Sequence, residues 1–448
     1  MGRVSRMVSK LAVLAAILSV IGCGGSVVTP LTTVQGTSSP APSAAIGPTV
    51  GSSAPSSSAS TTPAPTATPA QPAHWVAAGS MSKQRVQFQL LLLHDGRALA
   101  IGAGYNACQG ECSGFPPEST SVRYADLFDP ATNSWKTASG LNLNRSDYAA
   151  VLLPDGRVVV AGGYADAPYE CFSSTKLLDP TAGTWTQAAG LMKLARCDPA
   201  YALLPDGRVL LAGGTDIHNK VLASAEVFDP TSQKWSAVAS MPAVRAGGEA
   251  VTLKSGKVLV VGGFGTSGAT LKSAVLYDPA SGKWSSAGTL SAPPNGPIVL
   301  LPDGGTLVIG EGSYDNIAGK WTSQASERFD PSTLTWTKVG AMVKSRRSPF
   351  VASLADGRVL VAGGAVAQSF NSNGLVTTLT SSAEIFDPAT NSWSSTVAMP
   401  SVREAGDAVL LQDGSVLLAG GDLGAHGPIP TPGYPAVTLL ATAIRYVP

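Results

Sequence analysis

The stretch Leu203-Leu204-Pro205-Asp206-Gly207-Arg208-Val209-Leu210-Leu211-Ala212-Gly213-Gly214, followed by Ala225-Glu226-Val227-Phe228-Asp229-Pro230, Trp235 and Met241, holds the plan of the whole chain. Two apolar runs flank Asp206-Gly207. Asp-Gly between β-rich runs signals a hairpin, because glycine accepts the positive φ that the turn needs. The paired glycines that end the second run fit a place where backbone crowds backbone or φ turns positive. A third run enters Asp229-Pro230. Proline has no amide hydrogen to give a ladder, so it belongs at a strand end, with Asp starting the turn. Trp235 rides on a fourth run. The apolar spacing is two rather than 3.6, which predicts four short strands and almost no helix.

This unit is copied along the chain. A tryptophan is followed six residues later by Met or Leu at Trp75/Met81, Trp135/Leu141, Trp185/Leu191, Trp235/Met241, Trp284/Leu290, Trp336/Met342 and Trp393/Met399. Six of these tryptophans follow an Asp-Pro pair, at Asp129-Pro130, Asp179-Pro180, Asp229-Pro230, Asp278-Pro279, Asp330-Pro331 and Asp387-Pro388. The hairpin turn recurs at Asp95-Gly96, Asp155-Gly156, Asp206-Gly207, Ser255-Gly256, Asp303-Gly304, Asp356-Gly357 and Asp413-Gly414. A four-stranded sheet of this size cannot bury its own faces; stacking such sheets radially does, with Trp and Met/Leu filling the seams.

The glycine pairs, the aromatic-Asp-Pro turns and the Trp six residues on resemble the kelch repeat, over about residues 74–448. The resemblance implies an all-β fold, a seven-bladed kelch-type β-propeller. The ends of the chain suggest how it closes. The last unit has its hairpin, Gly420-Gly421 and a third run, Ala443-Ile444-Arg445-Tyr446, and then ends at Val447-Pro448 without a Trp strand. The missing strand stands at the other end as His74-Trp75-Val76-Ala77-Ala78, so the last blade is expected to be completed by the N-terminal strand.

Residues 1–23 read as an export signal. Arg3, Arg6 and Lys10 precede an apolar stretch from Leu11 to Ile21 that is too short for an ordinary membrane span. It ends in Leu18-Ser19-Val20-Ile21-Gly22-Cys23, which resembles the bacterial lipoprotein box. That resemblance implies lipidation of Cys23, and Gly24 after it favours the outer membrane of a cell that has one. A plain secretory signal with an incidental Cys is the alternative. Residues 24–73 are rich in Ser, Thr, Pro, Ala and Gly with almost no charge, so they form a disordered tether rather than a core. Its r.m.s. reach is on the order of 40 Å. Lys and Arg number 30 against 29 Asp and Glu, which gives no electrostatic case for nucleic acid.

Four further cysteines, Cys108, Cys112, Cys171 and Cys197, suggest two disulfides in an exported chain. The pairing favoured is Cys108–Cys112 with Cys171–Cys197; free thiols in loops are the alternative. A zinc site is disfavoured because no His lies nearby in sequence.

Arginine often stands at the entry to a first strand: Arg85, Arg145, Arg196, Arg245, Arg347 and Arg403. Asn295 replaces it in the fifth unit. The kelch resemblance puts this position around the mouth of the central channel, where in some relatives arginines hold acidic ligands. Guanidinium forks suit carboxylates, sulfates and sugar hydroxyls. The competing expectation is structural. Asp147, Asp198, Glu249, Glu404 and Asp407 lie close by in sequence and would pair with the arginines to lock neighbouring blades. Long connections follow the glycine pair in the first, sixth and seventh units, about Tyr105 to Ser121, Ala365 to Ser381 and Asp422 to Thr438. They are expected to build a lobe over one side of the mouth, or to be neutral insertions. Glu311 and the extra Trp321 mark the fifth unit as divergent.

Galactose oxidase is a kelch-type copper-radical enzyme whose family uses two His and Tyr ligands. This chain has four His, at 74, 94, 218 and 426, and no Tyr-His pair. Copper oxidation is therefore not expected, nor is any other metal or cofactor. The preferred reading is a surface-tethered module that binds a glycan or protein partner at the cell envelope. The runner-up is a glycan-processing hydrolase, lyase or epimerase, for which no acid/base pair stands out in the sequence. Fold alone does not decide between them.

Overall fold

The computed structural model describes residues 72–448 apart from 87, 103–124, 139–144, 146, 165–169, 295, 312, 316–319, 323–324, 372–373 and 426–436. Seven four-stranded antiparallel sheets follow one another, and no helix occurs among the described residues. The third sheet runs Ala200–Leu203, Val209–Ala212, Ala225–Asp229, Lys234–Val238, the four runs read from the sequence. Blades are numbered here by their tryptophan: the first carries Trp135, then Trp185, Trp235, Trp284, Trp336 and Trp393, and the seventh carries Trp75.

Local chemistry sets the turns. In the first hairpin the Gly96 N–H donates to Leu93 O at 3.1 Å, and Gly96 has φ +87°. This is a type I turn closed by a left-handed glycine. At the other turn the Asp229 carboxylate accepts from Thr231 N at 2.8 Å, and Asp129, Asp179, Asp278, Asp330 and Asp387 do the same for the residue two positions on. Such Asx turns are why Asp precedes Pro here.

The core is divided among the seams. Seven apolar clusters each join two adjacent blades. Between the third and fourth lie Ala200, Leu210, Val227, Val258 and Val260, with Trp284 packed against them. Each Trp lies in the seam toward the preceding blade. Trp235 stacks on Phe228 with centroids 5.1 Å apart, and rings of this size remove about 150–250 Å² each from water. Indole N–H groups then tie blade to blade, as from Trp135 to Ala78 O at 2.8 Å and from Trp336 to Ala287 O at 2.8 Å. One pairing read from the sequence shifts. After Trp185 the side chain entering the seam is Met192, 4% exposed, while Leu191 is 60% exposed.

The ring closes as the chain ends suggest. The seventh sheet is ordered His74–Ser80, Thr442–Val447, Val416–Ala419, Asp407–Leu410, with His74 opposite Val447 and Trp75 opposite Tyr446. A cluster containing Leu90, Ala98, Phe128, Leu417 and Ala419 seals the seventh blade to the first.

Antiparallel order sends the Asp-Gly and Asp-Pro turns to one end, the underside, where Arg157 Nη2 donates to Pro230 O at 3.1 Å. The connections after the glycine pairs and the crossings between blades gather at the other end, the mouth. Three of those connections carry hairpins: Ser313–Asp315 with Lys320–Thr322 in the fifth blade, Ala365–Asn371 with Gly374–Leu379 in the sixth, and Asp422–Ala425 with Val437–Leu439 in the seventh. The last two pack together so closely that a Cβ on Gly424 would stand 3.2 Å from Leu379 and from the Thr377 carbonyl. The first blade's long connection lies outside the described residues.

Candidate functional site at the propeller mouth

The repeated arginines build the wall beneath the mouth. Arg196 is fully buried. Its Nη1 donates to Gly213 O at 2.9 Å and to Ser224 O at 3.0 Å, and its Nη2 to Glu226 Oε1 at 2.6 Å. Its own carbonyl accepts from Gly163 N of the preceding blade at 3.0 Å. One residue therefore fastens three strands and two blades. The bond to the glycine seventeen positions on recurs from Arg85 to Gly102, Arg145 to Gly162, Arg245 to Gly262 and Arg346 to Gly363. The glycines leave room for it: a Cβ on Gly213 would lie 2.1 Å from Arg245 O.

Two expectations are corrected here. In the sixth blade the wall arginine is Arg346, and Arg347 stands one position further on. The carboxylates that meet the wall arginines are on third strands, at Asp126 (2.5 Å from Arg85), Glu226 and Glu384 (2.5 Å from Arg346); they are not the acids adjacent in sequence. Arg145, Arg245 and Arg403 have no carboxylate pair among the described residues. Burial pulls each of them down to about 10, while Arg145 also lies 4.1 Å from the Phe172 ring centroid. Five of the six predicted ligand arginines, Arg85, Arg145, Arg196, Arg245 and Arg403, thus have their guanidinium groups inside the wall.

Above the wall the mouth is built from rungs. The residue after each wall arginine pairs with the residue after the glycine pair: Cys197 with Thr215, Ala246 with Phe264, Arg347 with Ala365, Glu404 with Asp422. The next residue turns left-handed, as at Asp147, Asp198, Gly247, Ser348 and Ala405 (φ +50° to +62°). Backbone bonds link these from blade to blade: Asp198 N to Asp147 O, Gly247 N to Asp198 O and Ala405 N to Ser348 O, each 3.0 Å.

The rungs differ around the ring. Blades two to four present Tyr164, Thr215 and Phe264, with a disulfide joining Cys171 to Cys197; Tyr164 and Phe264 are partly exposed. Blades five to seven present Glu311, Arg347, Glu404 and Asp422. The Arg347 side chain is 31% exposed and lies 4.0 Å from the Glu404 carboxylate, and Glu311 Oε2 accepts from Ser348 N at 3.1 Å. Burial, then the Asp422 charge, pushes Glu404 up to about 7, with Arg347 opposing. Burial pushes Asp422 up to about 6. Closer to the axis, burial and then the charges of Asp147 and Glu249 push Asp198 up to about 8. Asp198 still keeps partial exposure, as a group facing an internal channel does. Deeper down, the Asp407 carboxylate accepts from Leu90 N at 2.7 Å and Gln89 Nε2 donates to Tyr148 O at 3.0 Å.

Cys23, Cys108, Cys112, Asn295 and His426 lie outside the described residues. His74, His94 and His218 fall on the closing strand, an underside turn and a mouth loop, and no group of three or more His, Cys, Asp or Glu able to hold a metal occurs among the described residues. A shallow depression between Arg97, Asp129 and Lys136 lies on the underside, away from this chemistry. Sequence reasoning missed Arg346 and the Glu404–Asp422 rung. Counting four residues from Met342 gives Arg346, as Met192 gives Arg196 and Met241 gives Arg245. Acids next to both Arg403 and Gly421 mark the rung.

The Kelch motif model matches residues 202–242 and 346–400. No curated protein matches the chain. Among solved structures, a fungal alcohol oxidase of the AA5 family in complex with copper is 19% identical, with 84% of this chain and 76% of that one covered at a TM-score of 0.60. The structure of YjhT is 14% identical, covering 80% of this chain and 94% of that one at 0.47. The first likeness is one of fold. With the repeats, the closed ring of blades and the matched motifs in hand, the protein is a kelch-repeat β-propeller.

Proposed function

We propose that the protein is an exported propeller, anchored through lipidated Cys23, that binds a glycan or protein partner at its mouth, with the glycan preferred. One observation carries this reading. The rim of blades five to seven presents Arg347, Glu404 and Asp422, while the other repeated arginines are used in the wall. Tyr164 and Phe264 on the other side offer ring faces of the kind that pack against the C–H edges of sugars. A partly apolar cleft with a few converging polar groups is the common form of a small-ligand site. The runner-up, a glycan-processing enzyme, draws on the same rung, since two carboxylates with raised and different pKa values suit acid/base work.

A glycan array followed by turnover assays on the bound sugars separates the two. Binding without product, weakened at least about tenfold by Arg347→Ala, supports the module. Product formation abolished by Glu404→Gln replaces it with the enzyme, and no binding to any glycan or envelope protein removes both. Membrane fractionation of Cys23→Ser tests the anchor; the variant is expected in the soluble fraction, and an unchanged membrane share overturns lipidation at Cys23.

A further inference from the structure

The reading of the mouth as a glycan site leaves the sugar undefined. Resting on it, we propose that the Glu404–Asp422 rung receives the ammonium group of an amino sugar. The two residues exchange both backbone bonds, Glu404 N to Asp422 O at 3.1 Å and Asp422 N to Glu404 O at 2.9 Å. Directly opposed residues of this kind put their side chains on one face with Cβ atoms about 5 Å apart. Glu404 is 6% exposed, and its Oε2 accepts no hydrogen bond among the described residues. Arg347 Nη2 comes within 4.0 Å of it, close enough for charge attraction and too far for a hydrogen bond. Donors of the wall such as Arg145 Nε and Arg245 Nε also lack partners, but this atom is a carboxylate acceptor of the mouth rung, and a donor supplied from outside would satisfy it.

Charge points the same way. Two carboxylates against one guanidinium leave one negative charge in excess. The other charged groups around the rung do not cancel it. Arg403 is turned into the wall toward Thr442, Asp407 accepts from Leu90 and Ala408, and Glu311 accepts from Ser348. With no further cation among them, the rung holds a proton near neutrality instead, which is the sense of the raised values of both acids. An ammonium group brings three donors and one positive charge. It would give Glu404 Oε2 its missing donor and take the place of the proton the rung holds. The partly exposed rings of Tyr164 and Phe264 on blades two and four suit the C–H faces of an oligosaccharide, which is why a sugar rather than a lysine side chain is chosen as the carrier of that ammonium.

Calorimetric titration of the full chain with glucosamine oligosaccharides, N-acetylglucosamine oligosaccharides of equal length and a lysine-rich peptide tests this. The free-amine sugar is expected to bind at least about tenfold more tightly than its acetylated counterpart. Its affinity should rise with pH as the acids lose their proton and fall again where the sugar's own amine deprotonates, giving a bell-shaped profile that the acetylated sugar lacks. Glu404→Gln and Asp422→Asn, each shown by melting to be folded, should remove that preference. Equal binding of both sugars, tighter binding of the peptide, or an unchanged preference in folded Glu404→Gln overturns the inference. Where an acetylated or neutral glycan still binds in an Arg347-dependent way, the mouth reading survives without the amino-sugar assignment. Where neither sugar binds, the amino-sugar assignment falls, and the mouth reading is decided by the glycan array.

Discussion

Arg346 and Arg347 are neighbours in the chain and belong to different parts of the molecule. Arg346 is fully buried, bonded to Gly363 O at 3.0 Å and to Glu384 at 2.5 Å. Arg347 is partly exposed beside Glu404. The same contrast divides the whole mouth end into a wall, where guanidinium groups are buried among carbonyls and carboxylates, and a rim, where charge remains accessible. Residue type therefore does not assign function here; position within the repeat does. A guanidinium in the wall is a strut, and in the sixth blade the next residue, Arg347, is the one whose charge stays partly exposed.

The contrast can be broken from either side. Arg346→Ala should have the largest effect, because it leaves the Glu384 carboxylate buried without its cation. Loss of one member of such a pair costs about 3–5 kcal/mol, and a fall in urea midpoint measures it. A midpoint unchanged by this substitution would place Arg346 outside the framework. Glu404→Gln should act in the opposite direction and only at high pH. Below about pH 4 the acid is protonated folded or unfolded, and nothing is gained. As pH rises through about 7, the folded protein must carry a charge that burial opposes. The variant is therefore expected to melt about 1–3 °C higher at pH 8 and at the same temperature as the wild type at pH 4; the same increment at both pH values would exclude a titrating Glu404. Arg347→Ala should be the mildest, within about 0.5 kcal/mol in stability, since its ion pair is long and partly exposed. A loss comparable to that of Arg346→Ala would erase the distinction between wall and rim.

The blades were legible because their signals are local and repeated. Asp-Gly turns, Asp-Pro turns and the Trp stripe each impose a backbone geometry whose cause lies within a few residues, and seven copies average out drift. Strand pairing between Trp75 and Tyr446 is remote in sequence, yet a missing fourth strand at one end and a spare at the other pointed to it. The site was less legible because it depends on a register of one. Arg346 and Arg347 are both plausible by composition, and only the four-residue count from Met342 tells them apart. Leu191 and Met192 pose the same ambiguity. The acids that meet the arginines, Asp126, Glu226 and Glu384, sit about 30–40 residues away on third strands. That proximity exists only after each sheet has formed.

His74 opens the outermost strand of the seventh blade opposite Val447, where in the other blades an Asp-Pro turn stands. The chain thus enters the propeller from the underside and runs toward the mouth. A force applied at His74 therefore meets the zipped seam between His74–Ser80 and Thr442–Val447 before any other blade.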